Sequence, residues 1–214
     1  MAAGISHEIN NPLTGVIGYA SLLMQREDLP EDIKKEIGII NEGGKRVASI
    51  VERMLTFARY YKPHKESVDI NGLIETTVSM RAYTMETNNI RATTQLESEL
   101  PKTIADGGQL QQVFLNIILN AEKEMIMAHN KGNLSIKTER VDDTIRISFT
   151  DDGPGITKHN LDKIFNPFFT TREVGEGTGL GLSICHGIVT EHKGKIYAES
   201  KRVWRTKGRL SCQL

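Results

Sequence analysis

The sequence predicts an α+β protein in which a long helical hairpin precedes an α/β sandwich of helices packed on a sheet. The hairpin is predicted by apolar residues spaced by three and four over residues 1–62, the period of helices that pack as a bundle. The sandwich is predicted by the mixture of amphipathic and alternating segments over residues 63–214, where strands in adjacent hairpins lie beside helices. We therefore assign one domain to residues 1–62 and a second domain to residues 63–214.

The helical hairpin consists of two helices and a short turn. Each helix carries one apolar seam, formed by Ile9, Leu13, Val16, Ala20 and Leu23 in the first helix and by Ile33, Ile37, Ile40, Gly44, Val47, Val51, Met54, Ala58 and Tyr61 in the second. The turn covers residues 26–32, where Pro30 is expected to end the first helix and acidic residues to begin the second.

Two helices of this length bury little apolar surface when they stand alone. Burying one Leu or Ile side chain is worth roughly 1.5–3 kcal/mol, and ordering one residue costs about as much. We therefore expect a second copy of the chain to complete a four-helix bundle, which makes the protein a homodimer. The alternative is that the hairpin packs on the second half of its own chain.

The second domain is predicted to contain shorter elements of both kinds. Strands are expected over residues 65–70, 90–97, 134–141, 144–151, 195–201 and 207–214. Helices are expected over residues 71–88, 109–128 and 179–192, the first with Asn71 as its N-cap. Asp142 and Asp143 are predicted to form the turn of a hairpin.

The composition excludes several classes of protein. The 214 residues carry 27 basic and 27 acidic side chains, so no basic surface for nucleic acid is expected. No apolar run approaches the ~18 residues of a membrane span, and the first residues lack the pattern of a signal peptide. The two cysteines, Cys185 and Cys212, suit a reducing compartment. These features predict a cytoplasmic protein that contacts neither nucleic acid nor membrane.

A carboxylate ends one of the predicted strands. The apolar residues of this strand share one face, and Asp151 continues their phase toward the buried side. A buried carboxylate needs hydrogen-bond donors, which the amino group of adenine would supply, and Gly153 and Gly155 leave room for a flat ring. The alternative is an ordinary Asp-Gly turn.

Two further motifs suit the phosphates of a nucleotide. Asn116, Asn120 and Lys123 lie on one stripe of a helix, where amide oxygens can ligate Mg²⁺ and the lysine attracts phosphate. A solvated helix face is the alternative. Glycines at alternate positions over residues 175–181 lead into a helix N-terminus, which favours anions. A glycine-rich linker explains this run poorly because Leu180 and Leu182 are interleaved with it.

Together these motifs resemble those of the sensor histidine kinases. The matching segments, in the family's order, are the N-box over 116–123, the G1 box over 151–155, the F-box over 165–169 and the G2 box over 177–181. The resemblance implies a Bergerat (GHKL) domain that binds ATP and Mg²⁺, with a lid over residues 164–179 anchored by the F-box. It assigns Asp151 to adenine and Asn116 and Asn120 to the metal. The implied nucleotide contacts are Asn116, Asn120, Lys123, Asp151, Gly153, Gly155, Ile156, Phe165, Thr178, Gly179, Leu180, Gly181 and Leu182.

The segment Ser6–Leu13 resembles the H-box of the same family, which makes His7 the phosphorylated residue. Extending the apolar seam of the first helix toward its N-terminus places His7 beside the seam, on the solvent side. Glu8 would orient the ring or accept its proton, and Asn11 stands at the position that the family uses for phosphatase activity. Pro12 cannot donate to the carbonyl of Glu8, so a kink is expected beside the histidine.

The implied function is a phosphorelay in which His7 takes the γ-phosphoryl group of MgATP and an aspartate in the receiver domain of a response regulator accepts it. One alternative is an ATP-hydrolysing relative of the same fold, which would carry a glutamate in place of Asn116 to activate water. The other is a scaffold that binds nucleotide without transfer. Gly15 and Gly18 share the face of His7, and we expect them to make room for the receiver domain, with tolerated helix glycines as the alternative. Only six residues precede His7, so the sensor and any membrane anchor are not expected within this sequence.

Overall fold

The computed structural model describes residues 2–58, 64–172, 177–201 and 207–213, with side chains over residues 11–48, 64–172 and 177–200. The chain divides into two compact units. One contains Met1–Lys62 and Thr171–Thr178, and the other contains Pro63–Thr170 and Gly179–Leu214. No helix within the described ranges is long and apolar enough to cross a membrane.

The first unit contains the predicted helical hairpin, with α1 over Ala2–Met24 and α2 over Glu31–Ala58. Glu31 and Asp32 lie in the first turn of α2, as predicted, where carboxylates suit the helix dipole. The predicted role of Pro30 was wrong. Helix α1 ends at Met24, and the Pro30 carbonyl accepts a hydrogen bond of 3.0 Å from the Lys34 amide, so Pro30 lies directly before α2 and accepts from its first turn. A proline fits there because it has no amide proton to satisfy.

Part of the predicted seam packs between the two helices. A Cβ added to Gly44 would lie 2.8 Å from Ile17 Cγ1, so the glycine allows the helices to approach closely. Asn41 is buried, and its Nδ2 donates to Ser21 Oγ at 2.7 Å. Other seam residues stay exposed, including Val16 and Ile40, and they line an apolar groove with Pro12, Gly15, Tyr19, Ala20, Leu23 and Ile37.

The second unit is built from four helices and seven strands over its described residues. The helices are α3 (Ile70–Thr87), α4 (Gly107–His129), α5 (Lys158–Leu161) and α6 (Gly181–Glu191). The strands are β1 (Glu66–Val68), β2 (Ile90–Gln95), β3 (Thr103–Ala105), β4 (Gly132–Val141), β5 (Thr144–Asp151), β6 (Lys195–Lys201) and β7 (Lys207–Gln213). Five strands form one sheet in the order β2-β4-β5-β7-β6, and β1 pairs with β3 in a separate two-stranded sheet.

Most predicted elements of this unit are confirmed, and the differences have local causes. The N-cap of α3 is Asp69 rather than Asn71, because the Asp69 carboxylate accepts from the Gly72 amide at 3.2 Å. Asn71 instead donates to the Glu97 carbonyl at 2.8 Å. Strand β3 and helix α5 were not predicted, and both are short. The sheet is mixed, since β2 pairs parallel to β4 while its other pairs are antiparallel.

Helix α4 forms the centre of the core. Its apolar face is buried, and Phe114 packs against Phe149 of β5 with ring centroids 5.8 Å apart. On its other side, Glu122 is almost fully buried and accepts two hydrogen bonds from Arg81 of α3, at 3.1 and 2.7 Å. The pairing satisfies a carboxylate that burial would otherwise penalise. These contacts hold α4 in one rotational setting, which determines where its polar stripe lies.

Candidate functional site

A tight turn follows strand β5 and packs against α4. Asp151 ends the strand, and its Oδ1 accepts from the Gly153 amide at 3.0 Å. A Cβ on Gly153 would lie 2.8 Å from Asp151 Oδ1 and 3.4 Å from Glu124 Cβ of α4, so any other residue would displace the Asp151 carboxylate. Asp151 therefore lies where the sequence predicts, at a glycine turn that brings its carboxylate close to α4.

The carboxyl group of Asp151 is electrostatically unusual. Burial, together with the nearby charges of Asp152 and Glu124, raises its pKa to about 6, although the Gly153 amide opposes the change. The neighbouring Asp152 has a lowered pKa despite its burial, because it accepts hydrogen bonds from the Asn133 amide and side chain and lies near His129. Two adjacent carboxylates thus differ in role: Asp152 holds the turn to β4, and Asp151 is the group that gains from a ligand's hydrogen-bond donor.

Asn116, Asn120 and Glu124 follow one stripe of α4 at steps of four. The Asn120 side chain of α4 lies next to the start of α6, since its Nδ2 is 3.8 Å from where a Cβ on Gly181 would be. The buried thiol of Cys185 on α6 donates to the Val113 carbonyl of α4 at 3.8 Å, and the Asn116 side chain lies nearby. Burial raises the pKa of this thiol to about 12, and the nearby Asn116 side chain opposes that change. One stripe thus meets both the start of α6 and the turn after β5.

The predicted glycine-rich segment meets the F-box at Gly179. Its φ is +65°, and a Cβ there would lie 2.4 Å from the Phe168 carbonyl carbon and 2.7 Å from the Phe169 nitrogen. Phe168 also has a positive φ of 65°. The backbone of Gly179 lies directly against the backbone of Phe168 and Phe169, which leaves no space for a side chain. The positive φ of Gly179 also favours glycine.

The other predicted nucleotide contacts lie around these two turns. Leu180 is buried as the N-cap residue of α6, and Gly181 and Leu182 form its first turn. Phe165 contacts the His186 ring at 5.7 Å between centroids. The Ile156 amide donates to Ser200 Oγ at 2.9 Å, and Gly155 has a φ of +70°. Thr178 belongs to the first unit, and the predicted Lys123 is exposed on α4.

The predicted phosphoacceptor segment lies in α1, which continues through Pro12. The backbone at His7 and Glu8 is helical, while their side chains lie outside the described residues, so the predicted solvent-side position of the ring stays a prediction. Asn11 is exposed.

One polar arrangement was missed by the sequence analysis. His64, His129, His159, His186 and His192 lack the spacing of metal ligands, which predicts ordinary surface or core residues, and no metal cluster occurs among the described residues. However, His192 uses both ring nitrogens in hydrogen bonds, one to the Ile188 carbonyl of its own helix and one to the Asp106 amide at the start of α4. Sequence offers no signal for this role, because one of its partners is a backbone amide 86 residues away.

Two family models match the chain in succession. Residues 1–60 match the "His Kinase A (phospho-acceptor) domain", and residues 105–211 match the "Histidine kinase-, DNA gyrase B-, and HSP90-like ATPase". The chain belongs to the sensor histidine kinases of two-component systems. The resemblance and fold class inferred from the motifs are thereby confirmed.

The curated proteins similar to this histidine kinase core are also named as kinases. Sporulation kinase E of Bacillus subtilis is 32% identical over 202 residues, covering 94% of this chain and 26% of the relative. Sensor histidine kinase ZraS of Escherichia coli is 33% identical over 201 residues, covering 94% of this chain and 42% of the relative. The chain thus spans between a quarter and a half of the length of these relatives.

Solved structures extend the similarity to the whole histidine kinase core. Full-length ShkA in complex with AMPPNP has a TM-score of 0.75 at 27% identity, covering 99% of this chain and 44% of that one. Histidine kinase ThkA in complex with the response regulator protein TrrA has a TM-score of 0.66 at 29% identity, covering 100% of this chain and 60% of that one.

Proposed function

We propose that this core is an ATP-dependent protein-histidine kinase, a phosphotransferase that phosphorylates itself on His7 and passes the group to an aspartate of a response regulator. The observation that carries the proposal is the polar stripe of α4, on which Asn120 lies next to the start of α6 and Glu124 lies next to the turn after β5. We assign nucleotide binding to residues 63–214 and the phosphoacceptor to residues 1–62. The AMPPNP complex of ShkA supports the nucleotide assignment.

Asp151 is the group that would select adenine. Its Oδ1 accepts from the Gly153 amide, so the second oxygen is the atom to which an exocyclic amino group would donate. That donor would stabilise the charged form of a carboxylate that burial penalises. Gly153, Gly155 and Ile156 would pass close to the ring, since a side chain at Gly153 has no space.

The donor set on α4 fits phosphates that carry Mg²⁺. Asn116 and Asn120 each carry an amide oxygen of the kind that ligates Mg²⁺. Lys123 adds a positive charge. When bound, Mg²⁺ would offset the negative charge of the transferred phosphoryl group. Phosphate amide contacts are assigned to the start of α6 and the segment before it, through Thr178, Gly179, Leu180, Gly181 and Leu182, with Phe165 anchoring the lid.

His7 performs the chemistry in this proposal. A neutral ring nitrogen attacks the γ-phosphorus, so that an N–P bond forms while the P–O bond to ADP breaks, and Glu8 orients the ring or takes its proton. A receiver-domain carboxylate then takes the phosphoryl group and restores the free imidazole. Asn11, exposed on α1, would hold a water for dephosphorylation of the regulator.

Two partners are assigned to the hairpin. The apolar groove on α1 and α2 would be filled by a second copy, which completes a four-helix homodimer. The receiver domain would dock near Gly18, where an added Cβ meets nothing within 4 Å in the described part of the chain, whereas Gly15 lines the groove and would face the second copy. The ThkA complex with the response regulator protein TrrA supports this class of partner. We place the relay in the cytoplasm.

Incubation with labelled MgATP tests the proposal. We expect label on the wild-type chain that is lost in acid, as a phosphohistidine is, and no label on His7→Gln, whose AMPPNP affinity should match wild type. Asn11→Ala should label normally but remove phosphate from the regulator more slowly. Acid-stable label, or label that persists on His7→Gln, would contradict the assignment, and ATP hydrolysis without label would favour an ATPase.

A further inference from the structure

Asp106 joins three parts of the second unit. It is the N-cap of α4, and its Oδ1 accepts from the Gln109 amide at 3.0 Å. Its Oδ2 accepts from the His64 amide at 2.9 Å, and its own amide donates to His192 Nε2 at 2.9 Å. His64 lies one residue beyond the start of this unit at Pro63, so the carboxylate holds the point where the chain arrives from the hairpin.

His192 completes the connection from α6. It is the C-cap residue of that helix, and its Nδ1 lies 2.9 Å from the Ile188 carbonyl oxygen. A carbonyl only accepts and a backbone amide only donates, so Nδ1 carries the proton and Nε2 carries the lone pair. The ring must therefore be neutral to hold both bonds, and it ties the end of α6 to the start of α4.

A second contact joins the arriving chain to α6. The Lys65 Nζ donates to the Glu191 carbonyl, the last residue of α6, at 3.3 Å. A cation there also suits the negative end of the helix dipole. His64 thus bonds to Asp106 at the start of α4, and Lys65 bonds to the end of α6. Helix α4 carries the N-box, and the G2 box leads into α6.

The hydrogen bond from the Asp106 amide to His192 replaces a local hydrogen bond that the Gln109 side chain could have accepted. Gln109 stands three residues after the N-cap, where its side chain would normally reach back to the N-cap amide as a capping box. Instead His192 accepts that amide, and Gln109 Oε1 is buried without a hydrogen-bond partner among the described residues. An unsatisfied buried oxygen costs stability, so the long-range bond is retained at the expense of a local one.

We propose that Asp106 and His192 form a clasp that fixes the connection from the hairpin to both nucleotide-binding helices, and that His192 is a positioning residue for phosphoryl transfer. The inference rests on the proposed function. Transfer to His7 requires the nucleotide domain to present ATP in a defined orientation, and a fixed point of attachment limits the orientations to be searched. Helix α6 runs from the cradle at Gly181 to the clasp at His192, so it joins the two sites directly.

Two substitutions at one position separate the clasp from simple helix capping. His192→Gln places an acceptor oxygen at the distance of Nε2 and keeps the bond from the Asp106 amide. His192→Asn keeps only a donor near Nδ1, so it can bond the Ile188 carbonyl but not the Asp106 amide. In the full chain, we expect hydrogen exchange at the amides of His64 and Asp106 to accelerate about tenfold in His192→Asn, the effect of losing one backbone hydrogen bond. Exchange in His192→Gln should stay near wild type.

Activity gives the second measurement. His192→Asn should bind AMPPNP within about twofold of wild type and label His7 about fivefold to tenfold more slowly in a single turnover, with His192→Gln recovering most of the rate. Unchanged exchange at His64 in His192→Asn overturns the clasp, and so does a loss of AMPPNP affinity that matches the loss of rate. If wild type never labels His7 while the exchange pattern appears, the proposed function and the positioning role both fall. If wild type labels normally and the pattern is missing, only the clasp falls.

Discussion

At the residue scale, the carboxyl group of Asp151 is maintained at a cost to the stability of the fold. Its carboxyl group is held against α4 by a glycine turn, and burial raises its pKa to about 6 from 3.8. Above pH 6 the folded chain must therefore hold a charge that the unfolded chain solvates more easily. Such a group lowers stability without ligand and favours a ligand that donates to it.

Asp151→Asn should stabilise the chain while abolishing tight nucleotide binding. The amide keeps an oxygen for the Gly153 amide but turns a second donor toward adenine. With 1.36 kcal/mol for each pH unit, the difference between 3.8 and about 6 corresponds to about 3 kcal/mol of unfolding free energy gained at pH 8. The gain should shrink as the pH falls from 6 toward 4, where the folded wild-type chain binds a proton that the unfolded chain does not, and it should vanish below the ordinary pKa of 3.8, where both states are protonated.

Thermal unfolding at several pH values and AMPPNP titration check this expectation. A variant that binds AMPPNP as tightly as wild type would remove Asp151 from the adenine contact. A variant that is less stable than wild type at pH 8 would show that the carboxylate gains more from the turn than burial costs it.

Asp151 and His192 differ in how far their roles could be predicted from the sequence. The position of Asp151 was predictable because a strand alternates and Asp151 continues the phase of its apolar neighbours. His192 was not predictable because its partners are a backbone amide and a backbone carbonyl, which every residue offers. The N-cap prediction for Asn71 was wrong for a related reason. Both Asp69 and Asn71 are residue types that can cap a helix, and Asn71 instead donates to the Glu97 carbonyl, a contact that exists only in the folded chain.

At the element scale, periodicity located the long helices and strands, while pairing and short segments depended on tertiary contacts. The heptad seam predicted α1 and α2, and the apolar face predicted α4. Strand β3 has three residues and exists through its pairing with β1, so no period within it could mark it. The parallel pair β2-β4 was missed because its direction depends on the crossover through α4, which lies between the two strands in the chain, and not on the strands themselves.

The start of α6 depends on one glycine that touches another backbone. Gly179→Ala would put a methyl group 2.4 Å from Phe168 at a positive φ, so the F-box turn or the start of α6 must move. We expect a lower Tm and at least about tenfold weaker AMPPNP binding, since the strain of a non-glycine residue there is of order 1–3 kcal/mol. Gly187→Ala is the matched control within α6, where the added methyl meets nothing within 4 Å. It should gain up to about 1 kcal/mol from helix propensity. Equal effects of the two variants on AMPPNP binding would contradict the role of Gly179.

At the scale of the whole molecule, the hairpin is a unit whose apolar surface is only partly used. Ala20 and Ile37 are buried, yet Val16 and Ile40 on the same groove are 48% and 54% exposed. In the described part of the hairpin, buried Asn41 also keeps an Oδ1 without a hydrogen-bond partner. A polar group buried between helices costs stability but discriminates between registers and partners, so the hairpin is better suited to specific association than to maximal stability of one copy.

Two neighbouring isoleucines test whether that groove is the dimer surface. Ile40 lines the groove, whereas Ile39 is exposed by 65% and lies outside it. Ile40→Glu places a charge on each copy where burial of isoleucine would contribute roughly 1.5–3 kcal/mol, so the dissociation constant should rise at least about a hundredfold for the two copies together. Ile39→Glu adds the same charge one residue away and should leave the dimer intact. Sedimentation equilibrium on both variants decides the matter. Dissociation by both substitutions would indicate charge repulsion rather than loss of a packed contact, and a stable dimer in Ile40→Glu would move the interface to another face of the hairpin.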